Sequence, residues 1–147
     1  MARLKKRFEF LEHTADLYIA ACGKTLEEAF ENAAYAMFEG MTDLDKVRPK
    51  LKDTVDVKGQ DEQALLYSWL EALLVNSDIS GNLYSRFEIA QIEKTPEGFR
   101  LRAEIWGEPF DAERHLSKVG VKAVTYHQME IVRNTDGTVT VRFILDI

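Results

Sequence analysis

The chain has 147 residues, of which 46% are hydrophobic and 30% are charged, and its formal net charge is −6. This length and composition are typical of one soluble globular domain, which we expect to cover residues 1–147. No apolar run approaches the ~20 residues that span a bilayer, so we expect no membrane association. The single cysteine, Cys22, cannot form an internal disulfide, which favours a reducing, cytoplasmic location.

The acidic balance limits the kind of partner that the chain can bind. Nucleic-acid binding draws much of its affinity from cations placed on phosphates, whereas here 25 acidic residues outnumber 19 basic ones. We interpret the one basic cluster, at residues 3–7, as a solvated leader. We therefore expect no direct nucleic-acid binding, and a basic protein partner would match the acidic surface.

The first half of the chain predicts two strands, a helix and a polar loop. Residues 7–12 and 16–22 have strand-like patterns, and residues 41–48 are polar. Between the second strand and the polar loop, Thr25 and Glu28 have the spacing of a capping box. In this motif each side chain accepts a hydrogen bond from the backbone at the start of a helix. The apolar stripe of this helix contains Leu26, Ala29, Phe30, Ala33 and Met37.

The second half predicts a central helix and several hairpins. Residues 62–77 form the helix, with Asp61 as its cap, because their leucines and Trp69 carry too much apolar surface for an exposed element. The strands are predicted at 51–58, 83–93, 98–106, 123–133 and 138–146. Turn residues at 95–98 and 134–137 join the last four strands into two hairpins. The fold class that follows is α+β, with two helices packed on one mainly antiparallel sheet.

Two aspartates at strand ends form the candidate site. Alternation along the last strand places Leu145 on the core face and Asp146 on the other face. Asp16 likewise points away from the core face of its strand, and the free carboxylate of Ile147 follows Asp146 directly. If the two strands are neighbours, three anionic groups meet, and oxygen-only anionic sites suit hard cations such as calcium or magnesium. Otherwise the aspartates are ordinary solvated strand-end residues.

Four short motifs, in order along the chain, resemble the archease family. They are the runs His13–Asp16, Thr25–Phe30 and Val121–His127, and the final pair Asp146–Ile147. Archeases are small accessory proteins of RNA processing that activate the ligase that joins tRNA halves during splicing. The resemblance implies a non-enzymatic protein that promotes guanylylation of this RNA ligase and its multiple turnover. Some archeases are linked instead to tRNA methylation, so a chaperone or specificity partner of a tRNA methyltransferase is the alternative.

The resemblance also assigns roles to individual residues. It implies that Asp16, Asp146 and Ile147 hold a divalent metal ion, for which we favour calcium over magnesium. It further implies that Lys122 and His127 belong to a surface that engages the partner ligase. From the residues alone, the same stretch is a half-buried strand with an outward polar face, or a general-base pair.

We assign no functional role to the other two histidines or to the cysteine. His13 precedes Asp16 by three residues, which in an extended segment face opposite sides, so we leave it out of the ligand set. We interpret His115 as part of a charged, solvated loop, and Cys22 as a small buried hydrophobe.

An enzyme is the least favoured class. The chain has no P-loop, no HExxH helix and no GxSxG elbow. The remaining enzymatic hypothesis is a metal-dependent hydrolase that uses Asp16 and Asp146 with His127.

Overall fold

A computed structural model describes residues 7–11 and 16–147. Its elements are the strands β1 (Phe8–Leu11) and β2 (Asp16–Gly23), the helix α1 (Leu26–Met41), a 3-10 turn (Leu44–Lys46), the strand β3 (Leu51–Gly59), the helix α2 (Glu62–Ser80), and the strands β4 (Asn82–Thr95), β5 (Gly98–Pro109), β6 (Ala123–Val124), β7 (Glu130–Arg133) and β8 (Val139–Asp146). None of the described helices is long and apolar enough to cross a membrane.

Helix α1 begins at the predicted cap. The Thr25 hydroxyl accepts a hydrogen bond from the Glu28 N–H at 3.1 Å. The Glu28 carboxylate reaches back to the N–H of Lys24, at 2.9 Å, rather than to that of Thr25. Two N–H groups near the start of the helix are therefore satisfied, which is what a capping box achieves.

Helix α2 begins at Asp61, whose carboxylate accepts the Ala64 N–H at 2.7 Å. The helix runs three residues further than predicted, to Ser80, because its stop signal is Gly81. Gly81 has a φ of 77°, in the left-handed region that favours glycine, and its N–H bonds to the Ser77 carbonyl.

The strands divide between two antiparallel sheets. In the described residues, the first sheet has the order β1-β2-β8-β6, with β7 also paired to β8, and the second has the order β3-β5-β4. The predicted α+β class, with two helices packed on antiparallel sheet, is therefore confirmed, and the strands divide between two such sheets. Each helix contacts strands of both sheets, and the buried residues form one core cluster. Helices with apolar residues on both sides require a second sheet to cover them.

The predicted strand 123–133 is interrupted. Strand β6 pairs with the end of β8 and β7 pairs with its beginning, and a turn separates them. The Met129 N–H donates to the Tyr126 carbonyl at 3.1 Å, and Gln128 has a positive φ of 55°. A residue in the left-handed region cannot continue an extended strand. The alternating pattern of residues 123–133 therefore wrongly predicted one continuous strand.

Candidate functional site

Asp16 and Asp146 lie directly opposite each other in the first sheet. Strands β2 and β8 are antiparallel neighbours, and their register pairs Asp16 with Asp146 and Leu17 with Leu145. Directly opposed residues project from the same face, with Cβ atoms roughly 5 Å apart. The two strands are therefore neighbours, as the predicted site requires. The two carboxylates project from the same face of the sheet.

Burial along β8 explains how Asp146 and Ile147 are held at this position. Val141, Phe143 and Leu145 are each 0% exposed, whereas Asp146 is exposed and Ile147 is 38% exposed. The core-facing residues dock the strand up to Leu145 and leave the next residue on the surface. A carboxylate on Ile147 would thus stand beside that of Asp146, outside the core.

The donor set of this edge suits a hard cation. Asp16, Asp146 and a terminal carboxylate on Ile147 offer only oxygen atoms, which calcium and magnesium prefer. Within residues 7–11 and 16–147 there is no group of three or more His, Cys, Asp or Glu side chains placed to hold a metal. The two side-chain carboxylates alone would therefore fill only part of a coordination shell. His13 lies outside the described residues.

Lys122 lies beside the paired carboxylates of Asp16 and Asp146, which are called the carboxylate edge below because they stand at one end of the sheet. Its N–H donates to the Asp146 carbonyl at 2.8 Å, and the register of β6 with β8 pairs Ala123 with Asp146. The Lys122 side chain is exposed. The structure therefore places an ammonium-bearing residue at the same end of the sheet as the two aspartates.

His127 is further away, in the turn that interrupts the predicted strand. Thr125 connects this turn to β8, since its N–H and its hydroxyl both donate to the Ile144 carbonyl, at 3.2 and 3.0 Å. His127 is exposed. Lys122 and His127 consequently belong to two parts of one surface segment rather than to one face of a strand.

An aromatic stack fixes the same turn and was missed by the sequence analysis. The rings of Tyr67, on α2, and Tyr126 are parallel within 5°, with centroids 4.3 Å apart. Tyr126 is still 55% exposed, so much of its side chain remains open to solvent. A hydrogen bond to Glu71, together with burial, raises the pKa of the Tyr67 hydroxyl above its usual value. The signal available in the sequence was an aromatic residue flanked by two polar ones.

A buried ion cluster anchors the loop that carries Lys122. The Glu108 carboxylate accepts from Arg114 Nη1 at 2.9 Å and Nη2 at 3.0 Å, and from the Arg48 N–H at 2.8 Å. His115 Nε2 lies 3.0 Å from the same carboxylate. The Arg114 guanidinium in particular, with the Arg48 and His115 donors, lowers the pKa of Glu108 to about 2 against the opposing effect of burial.

The prediction of a solvated His115 is therefore wrong. His115 is only 2% exposed, and its Nδ1 accepts the Asp111 N–H at 2.9 Å. Because Nδ1 is an acceptor, the ring proton of the neutral imidazole lies on Nε2 and points at Glu108. Among the charged residues around His115 in sequence, Arg114 contacts this cluster, whereas Asp111 and Glu113 are exposed.

The remainder of the loop covers the end of α1. The N–H groups of Lys118 and Val119 donate to the carbonyls of Met41 and Gly40, at 2.9 and 3.2 Å. The last carbonyls of a helix have no partner within the helix, so these bonds satisfy groups that would otherwise need water. The loop is thus fixed by the Glu108 cluster and by the end of α1, and these contacts position Lys122 beside Asp146.

Comparisons with known proteins identify the family to which the chain belongs. The chain matches the Archease protein family (MTH1598/TM1083) over residues 8–147. It is 45% identical to the protein archease of Pyrococcus abyssi over 142 residues, covering 97% of this chain and 99% of that protein. The protein archease of Sulfurisphaera tokodaii is 46% identical over the same shares of both chains.

A solved structure has the same fold. The solution structure of Methanobacterium thermoautotrophicum protein 1598 superposes with a TM-score of 0.84 at 42% identity, and the match covers 96% of this chain and 99% of that one. The resemblance drawn from four motifs is confirmed. The chain belongs to the archease family.

Proposed function

We propose that this chain is a non-enzymatic activator of the tRNA-splicing RNA ligase, which promotes guanylylation of the ligase and its multiple turnover. Membership of the archease family supports the choice of partner and process. The observation that carries the proposed mechanism is the pairing of Asp16 with Asp146 where the two inner strands β2 and β8 end. Carboxylates at the end of a sheet suit a protein that presents them to another molecule.

The carboxylates would hold a divalent metal ion, calcium in preference to magnesium. Asp16, Asp146 and the carboxylate of Ile147 are the groups that would ligate it, and when bound it would supply positive charge that offsets their mutual repulsion. Calcium takes six to eight oxygen ligands. Further ligands would then come from water or from the ligase, which fits a contact that forms and releases.

The partner surface would surround this edge. Lys122 adjoins Asp146 through the backbone, and Tyr126 and His127 lie exposed in the following turn. The net charge of −6 favours a basic, RNA-binding protein as the partner through charge complementarity. Polar groups around an exposed aromatic ring are a common composition for a transient protein interface.

The test is ligase guanylylation under multiple turnover. A catalytic amount of cognate ligase is incubated with labelled GTP and RNA ends, with and without this protein. The proposal predicts a large rise in turnover number with the protein and no phosphoester hydrolysis by the protein alone. An unchanged turnover by a ligase that is competent in a single round would refute the activator function. Co-purification with a tRNA methyltransferase would then favour the alternative partner.

A further inference from the structure

A polar depression lies between the C-terminal end of α2 and the middle of β3. Its volume is about 250 Å³, and the residues that line it are Asp53, Thr54, Asn76, Ile79, Ser80 and Tyr84. Asp53 is the one charged residue among them, so the depression is anionic.

The Asp53 carboxylate is held in place by a buried tyrosine. The Tyr84 hydroxyl donates to Asp53 Oδ2 at 2.6 Å, and Tyr84 is 0% exposed. Burial, followed by this hydrogen bond, raises the pKa of Tyr84, so its hydroxyl remains a donor at neutral pH. In the part of the chain that the structure describes, Asp53 Oδ1 makes no hydrogen bond. The carboxylate is therefore fixed through one oxygen and keeps the other available.

The described residues supply no cation to this carboxylate. Within residues 7–11 and 16–147 Asp53 has no ion pair, and Lys52 points to the other face of β3, where it pairs with Glu104 at 2.9 Å. The last turn of α2 also contains no basic residue that would balance the negative end of the helix dipole. Two sources of negative potential therefore meet at the depression, and both favour a positive ligand.

We propose that the depression is a docking site for an arginine side chain of a protein partner. The acceptors available for it come from two walls, the Asp53 carboxylate on β3 and the side-chain amide oxygen of Asn76 on α2, which makes no hydrogen bond with the described residues. A guanidinium has five N–H donors in a planar fork, whereas an ammonium is a compact point charge. Acceptors on opposite walls of one depression therefore suit arginine better than lysine.

An exposed apolar side chain beside the depression supports the same occupant. Ile79 is 82% exposed, and Val75, one turn earlier on α2, is 45% exposed. The methylene stem of an arginine packs on apolar surface while its head keeps polar partners, and arginine is enriched among the residues that anchor protein interfaces. A partner seated on Ile79 would thus cover apolar surface and deliver the guanidinium to Asp53.

This site is separate from the carboxylate edge. Tyr67, which stacks on Tyr126, marks the part of α2 nearest to that edge, and at 1.5 Å per residue the helix carries Ile79 about 18 Å beyond it. Docking at the depression therefore does not use the Asp16–Asp146 pair and does not require the proposed ligase function.

NMR titration of the ¹⁵N-labelled protein with the peptide acetyl-Ala-Arg-Leu-Ala-amide tests the docking. We expect saturable shifts confined to the N–H groups of Thr54 and Gly81 and the side-chain amide of Asn76, with a dissociation constant on the order of 1 mM. Asp53→Asn keeps an acceptor for Tyr84 but removes the charge, and should weaken binding about tenfold. Asp56→Asn is the matched control, because Asp56 lies on the other face of the same strand and pairs with Arg100; it should leave the affinity unchanged.

Peptides that differ only at the arginine identify the occupant. Citrulline keeps the shape of arginine without its charge and should abolish the shifts, and lysine should bind about threefold more weakly. Ile79→Ser, at an exposed position that does not endanger folding, should also weaken binding about threefold. Equal binding by the Asp53→Asn protein, by the citrulline peptide or by the lysine peptide overturns the proposal. Ethylguanidinium that binds as tightly as the arginine peptide also overturns it, because the depression would then be a site for a free small cation.

Discussion

The substitution Glu108→Gln is expected to destabilise the fold strongly at neutral pH and much less in acid. The Glu108 side chain is 3% exposed and accepts hydrogen bonds from Arg114, Arg48 and His115. Glutamine keeps the volume of the side chain but removes its charge. The variant leaves the Arg114 guanidinium with the longer contact to Asp111, 3.7 Å from Nε, in place of its paired hydrogen bonds to a charged Glu108, and the loop 110–122 loses its anchor.

The magnitude follows from the pKa of Glu108. Folding lowers it from 4.5 to about 2, and one pKa unit corresponds to about 1.4 kcal/mol, so the ionised form stabilises the fold by about 3 kcal/mol at pH 7. Because the folded-state pKa is the lower one, this stabilisation is present above pH ~4.5 and is lost as the pH falls toward ~2. At pH 3 about 1 kcal/mol should remain.

Urea denaturation of wild type and Glu108→Gln at pH 7 and pH 3 measures both values. Glu104→Gln is the matched control, since Glu104 pairs with Lys52 on the surface with its side chain 46% exposed, and exposed pairs contribute less than about 1 kcal/mol. A loss below about 1 kcal/mol for Glu108→Gln at pH 7 would show that the Glu108 charge does not stabilise the fold to this extent. A loss of equal size at both pH values would also refute it, because the effect would not then arise from the charge.

Three further changes test other parts of the structure. Extending the chain beyond Ile147 should weaken calcium binding, and equal affinity by calorimetry in the extended and native proteins would exclude the terminal carboxylate as a ligand. Gly107→Ala should prevent folding or cost several kcal/mol, because a Cβ at this position collides with the Leu83 carbonyl; a normal thermal melt would contradict this. Tyr126→Ala should lower the melting temperature only slightly, since an exposed aromatic stack contributes about 1 kcal/mol. The same variant should reduce ligase activation, and full activation would remove Tyr126 from the partner surface.

Local signals in the sequence predicted the elements that depend on neighbouring residues. The cap at Thr25 and the turn before Gly98 follow from side chains within four positions of each other. The core face of β8, which includes Phe143 and Leu145, follows from the apolar residues at alternate positions of the strand, although the structure also buries Thr140 and Ile144 on the other face. In these cases the residues that decide the structure are close together in the sequence, so a local pattern was enough to predict it.

Features that depend on distant residues were not predictable in this way. The division into two sheets is decided by which strands pair, and β3 pairs with β5 across about 50 residues of chain. The burial of His115 depends on Glu108 and on the backbone of Arg48, which is 60 positions away from that carboxylate. A charged stretch has the same composition whether it faces water or a buried counter-charge, so composition alone favoured the solvated loop.

The candidate site was predictable only in part. The sequence identified Asp16 and Asp146 as strand-end acids that share an outward direction, and their pairing required the register of β2 with β8. The position of Lys122 beside Asp146 required the short strand β6, which no pattern separated from the longer predicted strand. The roles of these residues came from the family resemblance rather than from periodicity.

Ligase guanylylation with Asp146→Asn is the most direct test of whether the paired carboxylates activate the ligase. The comparison uses wild type, Asp146→Asn and the control Asp78→Asn, which changes an exposed aspartate on α2, each shown to be folded by its thermal melt. We expect Asp146→Asn to lose most of the multiple-turnover activation and Asp78→Asn to retain it. Full activation by a folded Asp146→Asn protein would contradict a direct role for the carboxylate edge.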